Sequence, residues 1–291
     1  MLVHRHGTKE PSRVMVVGAG GFLGRGLVEA LQGTRTSVVP LGSRDIDLSA
    51  PDAGAKLGGL LREGDTLVFL AALTPDKGRG SDVLIKNVAM GRAVAAAAKA
   101  AKVGHLVYAS SDAVYSFATG LISEETPAIP NDLYGVMHRA RELILAEEAV
   151  APLAVLRFTA VYGAGDTHNS YGPNRFVRQV LKEGRIALFG EGEETRDHLY
   201  IKDGVAVLRR VIAQGSTGLL NVASGVSMSF SDVARAVADR MPQVRIEPSP
   251  RRNPIIHRHF VNTDMLSAFP GIRFTPFAEG LNAMLSGMEN G

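Results

Sequence analysis

Short apolar runs alternate with amphipathic stretches along the first 160 residues, a pattern typical of strands that alternate with helices. The predicted strands cover residues 13–17, 36–41, 66–72, 105–110 and 153–159. The predicted helices cover residues 21–32, 81–102 and 132–150. Because strands that alternate with helices form parallel sheets covered on both faces, this order predicts an α/β protein with a doubly wound parallel sheet.

The pattern changes after Tyr162, where glycine, proline and polar residues dominate the stretch 163–175 and predict a long binding loop. Shorter elements follow: helices at 174–182, 202–213 and 231–241, and strands at 186–188, 219–222 and 244–246. We therefore divide the chain into a nucleotide-binding core, residues 1–160, and a smaller, mainly substrate-binding region, residues 161–291. Elements of the second region are expected to return to the core.

Composition and charge exclude several classes of protein. Of the 291 residues, 45% are hydrophobic and 21% are charged, which excludes disordered and fibrous chains. The net charge of +3 is too small for a polybasic nucleic-acid binder, although it suits an anionic small ligand. The densest apolar run, residues 67–73, is too short to span a membrane, and residues 1–13 lack the apolar core of a secretory signal. We expect a soluble, cytoplasmic protein without nucleic-acid or membrane partners.

Thiol chemistry and metal binding are not predicted. The chain contains no Cys, which excludes disulfides, thiolate metal sites and cysteine nucleophiles. His257 and His259 alternate, as do His4 and His6, but no suitable group of carboxylates accompanies them. We therefore expect metal-free chemistry.

A glycine-rich turn follows the first predicted strand and leads directly into a helix. Gly18, Gly21 and Gly24 let the backbone turn tightly, approach a pyrophosphate and pack the helix against the strand. The N-terminus of the helix supplies N–H groups to the same anion. A flexible strand–helix turn is the alternative, but the strand before it and the helix after it favour a dinucleotide site in a Rossmann-type fold.

The residues after the second strand bear on the choice of cofactor. Rossmann proteins that prefer NAD usually carry an acid there, which binds the ribose 2′-OH. This chain has Gly42-Ser43-Arg44 at that point, and a small hydroxyl with a guanidinium suits a 2′-phosphate. Asp45 is close enough to serve NAD instead. We expect NADP or NAD as the cofactor, with NADP slightly favoured.

The turn from Gly18 to Gly24, with Phe22 and Leu23 inside it, resembles the extended short-chain dehydrogenase/reductase family, especially its NAD-dependent epimerase/dehydratase branch of nucleotide-sugar enzymes. Further segments in the family's order extend the resemblance over nearly the whole chain: residues 45–48, 70–72, 86–88, 156–163 and 189–203. It implies a Rossmann-type fold, an NAD(P) cofactor and a nucleotide-sugar substrate. The residues expected to contact the cofactor are Gly18, Gly20, Gly21, Phe22, Leu23, Gly24, Ser43, Arg44, Asp47, Leu48, Leu70, Ala71, Ala72, Asn87, Tyr134 and His138.

The same resemblance assigns the chemistry to a hydroxyl pair. Ser111, after the fourth strand, is implied to hydrogen-bond the reacting sugar oxygen, and Tyr134 is implied to be the acid/base. A free phenol has a pKa of about 10, so this pKa must fall for work near neutrality. In the family, a Lys one helical turn after the Tyr lowers it and also holds the nicotinamide ribose.

Position 138 holds His where the family has that Lys. A neutral imidazole can donate to ribose, but it supplies no fixed positive charge. Arg139 and Arg141 are expected to project in other directions on the helix. Alternatively, His138 points away and water or another cation takes the place of the lysine. We expect Ser111, Tyr134 and His138 to form the catalytic group; the alternative function is a cofactor-binding protein with weak or no catalysis.

The sequence also narrows the reaction. The sugar 4,6-dehydratases of this family carry Thr-Asp-Glu where this chain has Ser111-Asp112-Ala113. Elimination of water needs a carboxylic acid to protonate the leaving hydroxyl, which Ala113 cannot provide. The prediction is therefore an epimerase or a 4-ketoreductase of a nucleotide sugar, acting by hydride transfer. The residues that the resemblance implies for substrate binding are Asp112, Asn174, Arg175, Phe176, Arg196 and Arg252.

The two long predicted helices, 81–102 and 132–150, suggest a partner subunit. In relatives, such helices from two subunits form a four-helix bundle. The Ala-rich face at 89–101 permits close approach of helices, but it could equally pack inside the monomer. We predict a homodimer.

Overall fold

The computed structural model of the protein describes residues 1–241, 243–251 and 254–289. The strands in these ranges are β1 (Leu2–Val3), β2 (Arg13–Val17), β3 (Ser37–Leu41), β4 (Thr66–Phe69), β5 (His105–Ser111), β6 (Leu121–Ile122), β7 (Leu153–Phe158), β8 (Ala160–Tyr162), β9 (Arg185–Phe189), β10 (Thr195–Tyr200), β11 (Thr217–Val222), β12 (Ser227–Ser229), β13 (Arg245–Ser249) and β14 (His259–Phe260). The helices are α1 (Phe22–Leu31), α2 (Ala53–Leu60), α3 (Ser81–Ala101), α4 (Leu133–Glu148), α5 (Pro173–Glu183), α6 (Ile201–Gln214), α7 (Phe230–Ala238), α8 (Thr263–Ala268) and α9 (Phe277–Glu289), and a 3-10 turn covers Asp112–Val114. None of these helices has the length and apolarity that a membrane span requires.

Seven strands form the main sheet in the order β1-β11-β7-β5-β4-β2-β3, and every neighbouring pair is parallel except β1 with β11. The predicted doubly wound parallel sheet is confirmed. The chain leaves β2 toward β3 at one edge and then crosses back to β4 on the other side of β2. Ligands of such sheets bind at this reversal, outside the carboxyl ends of the strands, so the crevice at β2 and β4 is the expected site.

The central strands are apolar on both faces because helices cover both. In β2, Val14 and Val16 belong to one core, Met15 and Val17 belong to another, and all four side chains are buried. Helices α1 and α6 pack on the first face, and α2, α3 and α4 pack on the second. This double burial explains the continuous apolar runs that predicted the strands.

Three small sheets lie outside the main sheet. One contains β8, β10 and β12, and the pairs β9–β13 and β6–β14 form the others. Helices α5 and α7 share a third core with β9, in which Phe176, Ile186 and Val233 are buried. Strand β11 inserts between β1 and β7, with Leu219 paired to Val155. The main sheet therefore contains strands from both halves of the chain.

Helix α2 is absent from the sequence-based prediction because its sequence, AGAKLGGL, is rich in glycine, which disfavours helix. Packing against α3 outweighs this propensity. A Cβ on Gly54 would lie 3.3 Å from the carbonyl oxygen of Ala93, so glycine permits a close approach of the two helices. The Ala-rich face of α3 serves the same packing, since Ala95, Ala97 and Ala98 are fully buried within the monomer.

Candidate active site

The glycine-rich turn joins the end of β2 to the start of α1, at the crevice between β2 and β4. Gly18 has a φ of 95°, a left-handed value that favours glycine, and a Cβ there would lie 2.6 Å from the backbone nitrogen of Ala71. A Cβ on Gly24 would collide with the carbonyl oxygen of Gly18. The N-cap residue of α1 is Gly21, and no side chain caps the helix. The N–H groups of the first turn are left for an anion, so this turn fits the pyrophosphate of a dinucleotide.

The remaining residues of the turn differ in their exposure. Gly20 is exposed, and nothing lies within 4 Å of the position that a Cβ would take. Phe22 is buried in the third core and Leu23 is half-buried, so both would meet a cofactor chiefly through their backbone. Arg25, which the sequence analysis missed, donates to the carbonyl oxygens of Gly20 at 2.8 Å and Gly165 at 2.5 Å. These bonds tie the turn to the long loop after β8.

The residues that bear on cofactor choice follow β3 and are exposed. Neither Ser43 nor Arg44 has a hydrogen-bond or ion-pair partner in the part of the chain that the structure describes. Asp45 turns back on the strand end, and its carboxylate accepts a hydrogen bond of 2.7 Å from the N–H of Gly42. Arg44 thus has no internal partner among the described residues, whereas Asp45 is engaged in the turn.

Asp47 and Leu48 lie in the next turn. The hydroxyl and the N–H of Ser49 donate to the Asp47 carboxylate at 2.7 and 2.9 Å, and these hydrogen bonds lower the pKa of Asp47. Asp47 remains exposed, whereas Leu48 is buried in the core. Only the first of the two offers a polar side chain to a ligand.

Leu70, Ala71 and Ala72 follow β4 and form one wall of the crevice. The strand ends earlier than the predicted 66–72 because Leu70 donates the last sheet bond, 2.8 Å long, to a carbonyl oxygen of β2. Ala71 then passes so close to Gly18 that only glycine fits at that position. All three residues of the wall are half-buried, which leaves part of each one facing the crevice.

Asn87 of α3 fixes the chain immediately after this wall. Its side-chain amide accepts a hydrogen bond of 2.9 Å from the N–H of Leu73 and donates one of 3.0 Å to the Leu73 carbonyl oxygen. Both residues line a cavity of about 290 Å³ that is also bordered by Arg79, Tyr134 and Met137. The cavity therefore lies between the predicted cofactor wall and the helix that carries Tyr134.

Ser111 and Tyr134 meet at the carboxyl end of β5. Ser111 is the last residue of β5, and Tyr134 lies in the first turn of α4, which Asp132 caps by accepting a 2.8 Å hydrogen bond from a backbone N–H. Burial raises the pKa of Tyr134 to about 12, and the charge of Asp112 acts in the same direction. The charge of Arg141 and a hydrogen bond with Ser111 act in the opposite direction. The structure thus brings the hydroxyl of Ser111 close to the phenol of Tyr134, which borders the cavity.

His138 is buried between Tyr108 and Tyr134. Its Nδ1 lies 2.7 Å from the hydroxyl of Tyr108, and its ring packs edge-on against Tyr134 with 4.7 Å between ring centres. Burial lowers the pKa of His138 well below its usual value, and the charge of Arg141 lowers it further. The imidazole is therefore neutral at about pH 7. Its Nε2 is buried and has no hydrogen-bond partner among the described residues.

The expectation that Arg141 projects away from the site is wrong. The side chain is fully buried, and it donates from Nε to the Asn87 carbonyl oxygen at 2.7 Å and from Nη2 to Asn87 Oδ1 at 2.8 Å. Nη1 donates to the carbonyl oxygen of Ala71 at 2.9 Å. Long helical side chains point back toward the helix N-terminus, which carries the guanidinium toward Tyr134. A permanent positive charge therefore lies behind the wall of the cavity.

A buried ionic cluster that the sequence analysis missed lies below Ser111. Glu142 accepts hydrogen bonds from the Ser110 hydroxyl at 2.6 Å and from Arg157 Nε and Nη2 at 2.8 and 2.7 Å. Arg139, by contrast, is half-exposed and donates to Glu142 from outside at 3.0 Å. The sequence feature that could have revealed this cluster is Arg157, which interrupts an apolar predicted strand. A charge in a buried strand needs a buried partner.

Two guanidinium groups flank Asp112. Arg196, predicted for the substrate diphosphate, donates to the carbonyl oxygens of Thr195 at 2.8 Å and Ile256 at 2.6 Å. Burial lowers the pKa of Arg196, the charge of Asp112 raises it, and the charge of Arg258 lowers it. Arg258, which the sequence analysis missed, is buried and donates to the Asp112 carbonyl oxygen at 2.5 Å and to its carboxylate at 3.3 Å. This cationic region adjoins the end of β5.

The other predicted diphosphate residue, Arg252, lies outside the described residues. Its neighbour Arg251 forms ion pairs with Glu193 at 2.5 Å and Glu194 at 3.2 Å. Arg251 is therefore engaged with the segment between β9 and β10.

Asn174, Arg175 and Phe176 lie at the start of α5. The Asn174 amide accepts from the N–H of Gly163 at 3.0 Å and donates to its carbonyl oxygen at 2.6 Å, which joins α5 to the end of β8. Phe176 is fully buried and packs edge-on against Tyr171. Arg175 is half-buried, with its guanidinium 5.7 Å from the Tyr171 ring centre. Of the three, only Arg175 keeps a partly exposed polar side chain.

Comparison with known proteins relates this arrangement to a family. The model described as the NAD dependent epimerase/dehydratase family matches residues 14–223, a range that contains the crevice, Ser111 and Tyr134. Among curated proteins, an uncharacterized UDP-glucose epimerase of Bacillus subtilis (strain 168), YtcB, is 31% identical over 111 residues. This match covers 37% of the present chain and 35% of the relative.

Solved structures share the fold over nearly the full length of the chain. The UDP-glucose 4-epimerase of Thermus thermophilus, in complex with NAD, has a TM-score of 0.85 at 22% identity and covers 95% of this chain and 99% of its own. MoeE5 in complex with UDP-glucose and NAD has a TM-score of 0.79 at 24% identity, with 96% and 99% covered. These likenesses confirm the Rossmann-type fold. Because the family model matches most of the chain, the protein belongs to the NAD dependent epimerase/dehydratase family, within the extended short-chain dehydrogenases/reductases.

Proposed function

We propose that the protein is an NAD(P)-dependent epimerase or 4-ketoreductase of a nucleotide sugar, with Tyr134 as its acid/base. The observation that carries the proposal is the pairing of Ser111 with Tyr134, which lines a cavity together with Asn87 and Leu73. A phenol, a hydroxyl donor and an adjoining dinucleotide crevice are the parts that hydride transfer to or from a secondary alcohol needs.

Each residue has a role in this proposal. The turn from Gly18 to Gly24 would hold the cofactor pyrophosphate, and Ala71 and Asn87 would contact the nicotinamide ribose. The nicotinamide, when bound, supplies the hydride acceptor and donor. Ser111 donates a hydrogen bond to the sugar oxygen, while Tyr134 takes the proton of that hydroxyl and later returns it.

Two further side chains refine the chemistry. The Nε2 of His138, buried and without a partner in the described ranges, is available to a ribose hydroxyl. Ala113 follows Asp112 in the 3-10 turn and offers no acid for a leaving hydroxyl. We therefore favour epimerisation or ketone reduction over elimination of water.

The substrate side is assigned to residues 161–291 and to Asp112. Arg196, whose charge interacts with Asp112, is proposed to meet the diphosphate, because a guanidinium binds phosphate oxygens through several N–H groups at once. Arg175 and the undescribed Arg252 are proposed to assist it. Neighbouring structures hold UDP-glucose or UDP-glucuronic acid, which makes UDP sugars the first substrates to test.

NADP is slightly favoured over NAD. Arg44 and Ser43 are exposed beyond β3 and have no partner among the described residues, so both are available to a 2′-phosphate. Asp45 already accepts a hydrogen bond from Gly42, which leaves its carboxylate less free to bind the 2′-OH of NAD.

We also propose that the protein is a homodimer that pairs through α3 and α4. The outer side of these helices exposes large apolar side chains: Ile85 is 65% exposed, Leu143 49% and Val136 37%. A neighbouring apolar depression is lined by Leu84 and Val88. Packing two copies of this surface together would remove apolar area from water.

A second candidate function is a cofactor-binding protein with weak or no catalysis, and the neutral, buried His138 favours it. Turnover of a panel of UDP, dTDP and GDP sugars, and of their 4-keto derivatives, separates the two candidates. The enzyme proposal expects product that Tyr134→Phe abolishes while cofactor affinity, measured by calorimetry, stays within about twofold. The control is Tyr200→Phe, which removes the same phenol oxygen from a tyrosine of β10 and should leave turnover intact. Tight cofactor binding without product from any substrate would instead support the second candidate.

A further inference from the structure

The helix that carries Tyr134 contains a buried cation where the family pattern gives no reason to expect one. Arg141 is 0% exposed, and no Asp or Glu forms an ion pair with it among the described residues. Burying an unpaired charge is costly, so an arginine held in this way calls for an explanation beyond packing.

The position of Arg141 along α4 places it on the same side as the acid/base. Successive residues of an α-helix are rotated by about 100° about its axis. Seven such steps lead from Tyr134 to Arg141 and fall only about 20° short of two full turns, so the two residues lie on the same face. His138 lies between them on this side. The Arg141 side chain runs back toward the helix N-terminus and reaches Ala71 and Asn87, the residues that border the predicted cofactor wall.

The neighbouring helix is shaped to admit this side chain. A Cβ on Gly91 of α3 would lie 2.8 Å from Arg141 Cγ, so the glycine leaves room for the aliphatic stem. The guanidinium lies 4.8 Å from the centre of the Phe69 ring and donates to Asn87 and Ala71. The Arg141 guanidinium is thus held in place by α3 and by the end of β4, in addition to its own helix.

The titratable and charged groups around Tyr134 come from three elements. From its own helix and cap come His138, Arg141 and Asp132, from the 3-10 turn comes Asp112, and from β5 comes Tyr108. Asp112 and Asp132 disfavour a phenolate, and His138 is neutral. Arg79 borders the same cavity but is exposed, so Arg141 is the buried cation in this group that favours the phenolate.

We infer that Arg141 supplies, from two turns along α4, the fixed positive charge that the family takes from a lysine one turn along, and that it positions Asn87 and Ala71 in the cofactor wall. His138 lies between Tyr134 and Arg141 as a neutral imidazole held by Tyr108, so it offers a hydrogen bond but no charge. The inference rests on the proposed function in one respect, namely that Tyr134 is the acid/base. Arg141 is a positioning residue in this account, because it acts through Tyr134 and the wall.

The test compares the ionisation of Tyr134 in several variants of the full chain. With tyrosine ¹³C-labelled at Cζ and the protein saturated with NAD⁺, the phenolate fraction is followed by NMR over a series of alkaline pH values up to the midpoint of the titration, and the resonance is assigned by its loss in Tyr134→Phe. Arg141→Met should raise the midpoint by about one pH unit, which lowers the phenolate fraction about tenfold at a pH well below the midpoint. Should the Met variant not fold, Arg141→Gln keeps hydrogen bonding without the charge.

Controls separate charge from structure. Arg139→Met removes the same charge from a half-exposed site on the same helix and should leave the phenolate fraction unchanged. Adding His138→Lys to Arg141→Met returns a cation one turn from Tyr134 and should restore the fraction. Equal phenolate fractions in the wild type and in the neutral variants, or no rescue by the lysine, would overturn the inference.

The activity arm uses the same proteins. The alkaline rise of kcat with pH should move upward by about one unit in Arg141→Met and return in the double variant. A wild type without turnover on any nucleotide sugar would defeat the proposed function, whereas the NMR arm would still decide the role of Arg141.

Discussion

Arg157→Met tests the buried ion pair below the site. Glu142 and Arg157 are 4% and 3% exposed, and two hydrogen bonds of 2.8 and 2.7 Å join them. The substitution keeps much of the side-chain volume but leaves the Glu142 carboxylate with only Ser110 and the outer Arg139. It also removes the hydrogen bond of 2.9 Å to Tyr115.

The expected loss in the free energy of unfolding is about 3–5 kcal/mol, because removing one partner of a buried pair leaves an uncompensated charge. Each kcal/mol moves the Tm of a large domain by roughly 2–4 °C, so a fall of roughly 10 °C is expected. Urea titration followed by circular dichroism measures the loss. Arg139→Met, which removes a half-exposed partner of the same carboxylate, should cost at most about 1 kcal/mol.

A double-mutant cycle completes the experiment. Glu142→Gln removes the stranded charge, so the variant with both substitutions should be more stable than Arg157→Met alone. Equal losses for Arg157→Met and Arg139→Met, or no gain from the second substitution, would refute the reasoning that burial makes this pair costly to break.

Three further predictions concern the ligands and the response to acid. Arg44→Ala should weaken NADP(H) binding and spare NAD(H) binding, measured by fluorescence titration; equal weakening of both would contradict the 2′-phosphate role. Arg196→Ala should raise the substrate KM roughly tenfold to a hundredfold at nearly constant cofactor affinity, since a charge-assisted hydrogen bond contributes about 1.5–3 kcal/mol; an unchanged KM in steady-state kinetics would refute the assignment. Burial lowers the pKa of His198 to about 3. Below about pH 6.5 the unfolded chain therefore takes up a proton at this histidine that the folded chain does not. The free energy of unfolding, which is unaffected above about pH 6.5, should fall by up to about 1.4 kcal/mol for each pH unit as the pH drops. Urea titrations from neutral to acidic pH should show a shallower fall for His198→Phe, and identical slopes would disprove this account.

The sheet was predictable because its strands are buried on both faces. Residues 13–17 were placed without error, since a five-residue apolar run before a glycine turn has few other interpretations. Helix α2 was not predicted, because its glycines are explained only by the closeness of α3. Strand β10, with Arg196, Asp197 and His198 in succession, shows no apolar alternation, and only its pairing with β8 and β12 makes it a strand.

Part of the candidate site was predictable, because some motifs tie a residue to the end of a strand or to the start of a helix. The glycine turn leads into a helix as expected, and Ser111 and Tyr134 meet although 22 residues separate them in sequence. The position of the Arg141 side chain could not be predicted from helix periodicity alone. Its direction depends on Gly91, which leaves space, and on the acceptors of Asn87 and Ala71, all of which belong to other elements.

The insertion of β11 between β1 and β7 has a consequence for how the protein can fold. Until residues 217–222 have been synthesised, one edge of β7 has no parallel partner. The unpaired backbone N–H and C=O groups along this edge are a template for pairing with other chains. The pairing joins segments about 60 residues apart, so closing it requires ordering a long loop first and should slow folding. A fragment that stops after β7 would retain this open edge, and we expect it to aggregate.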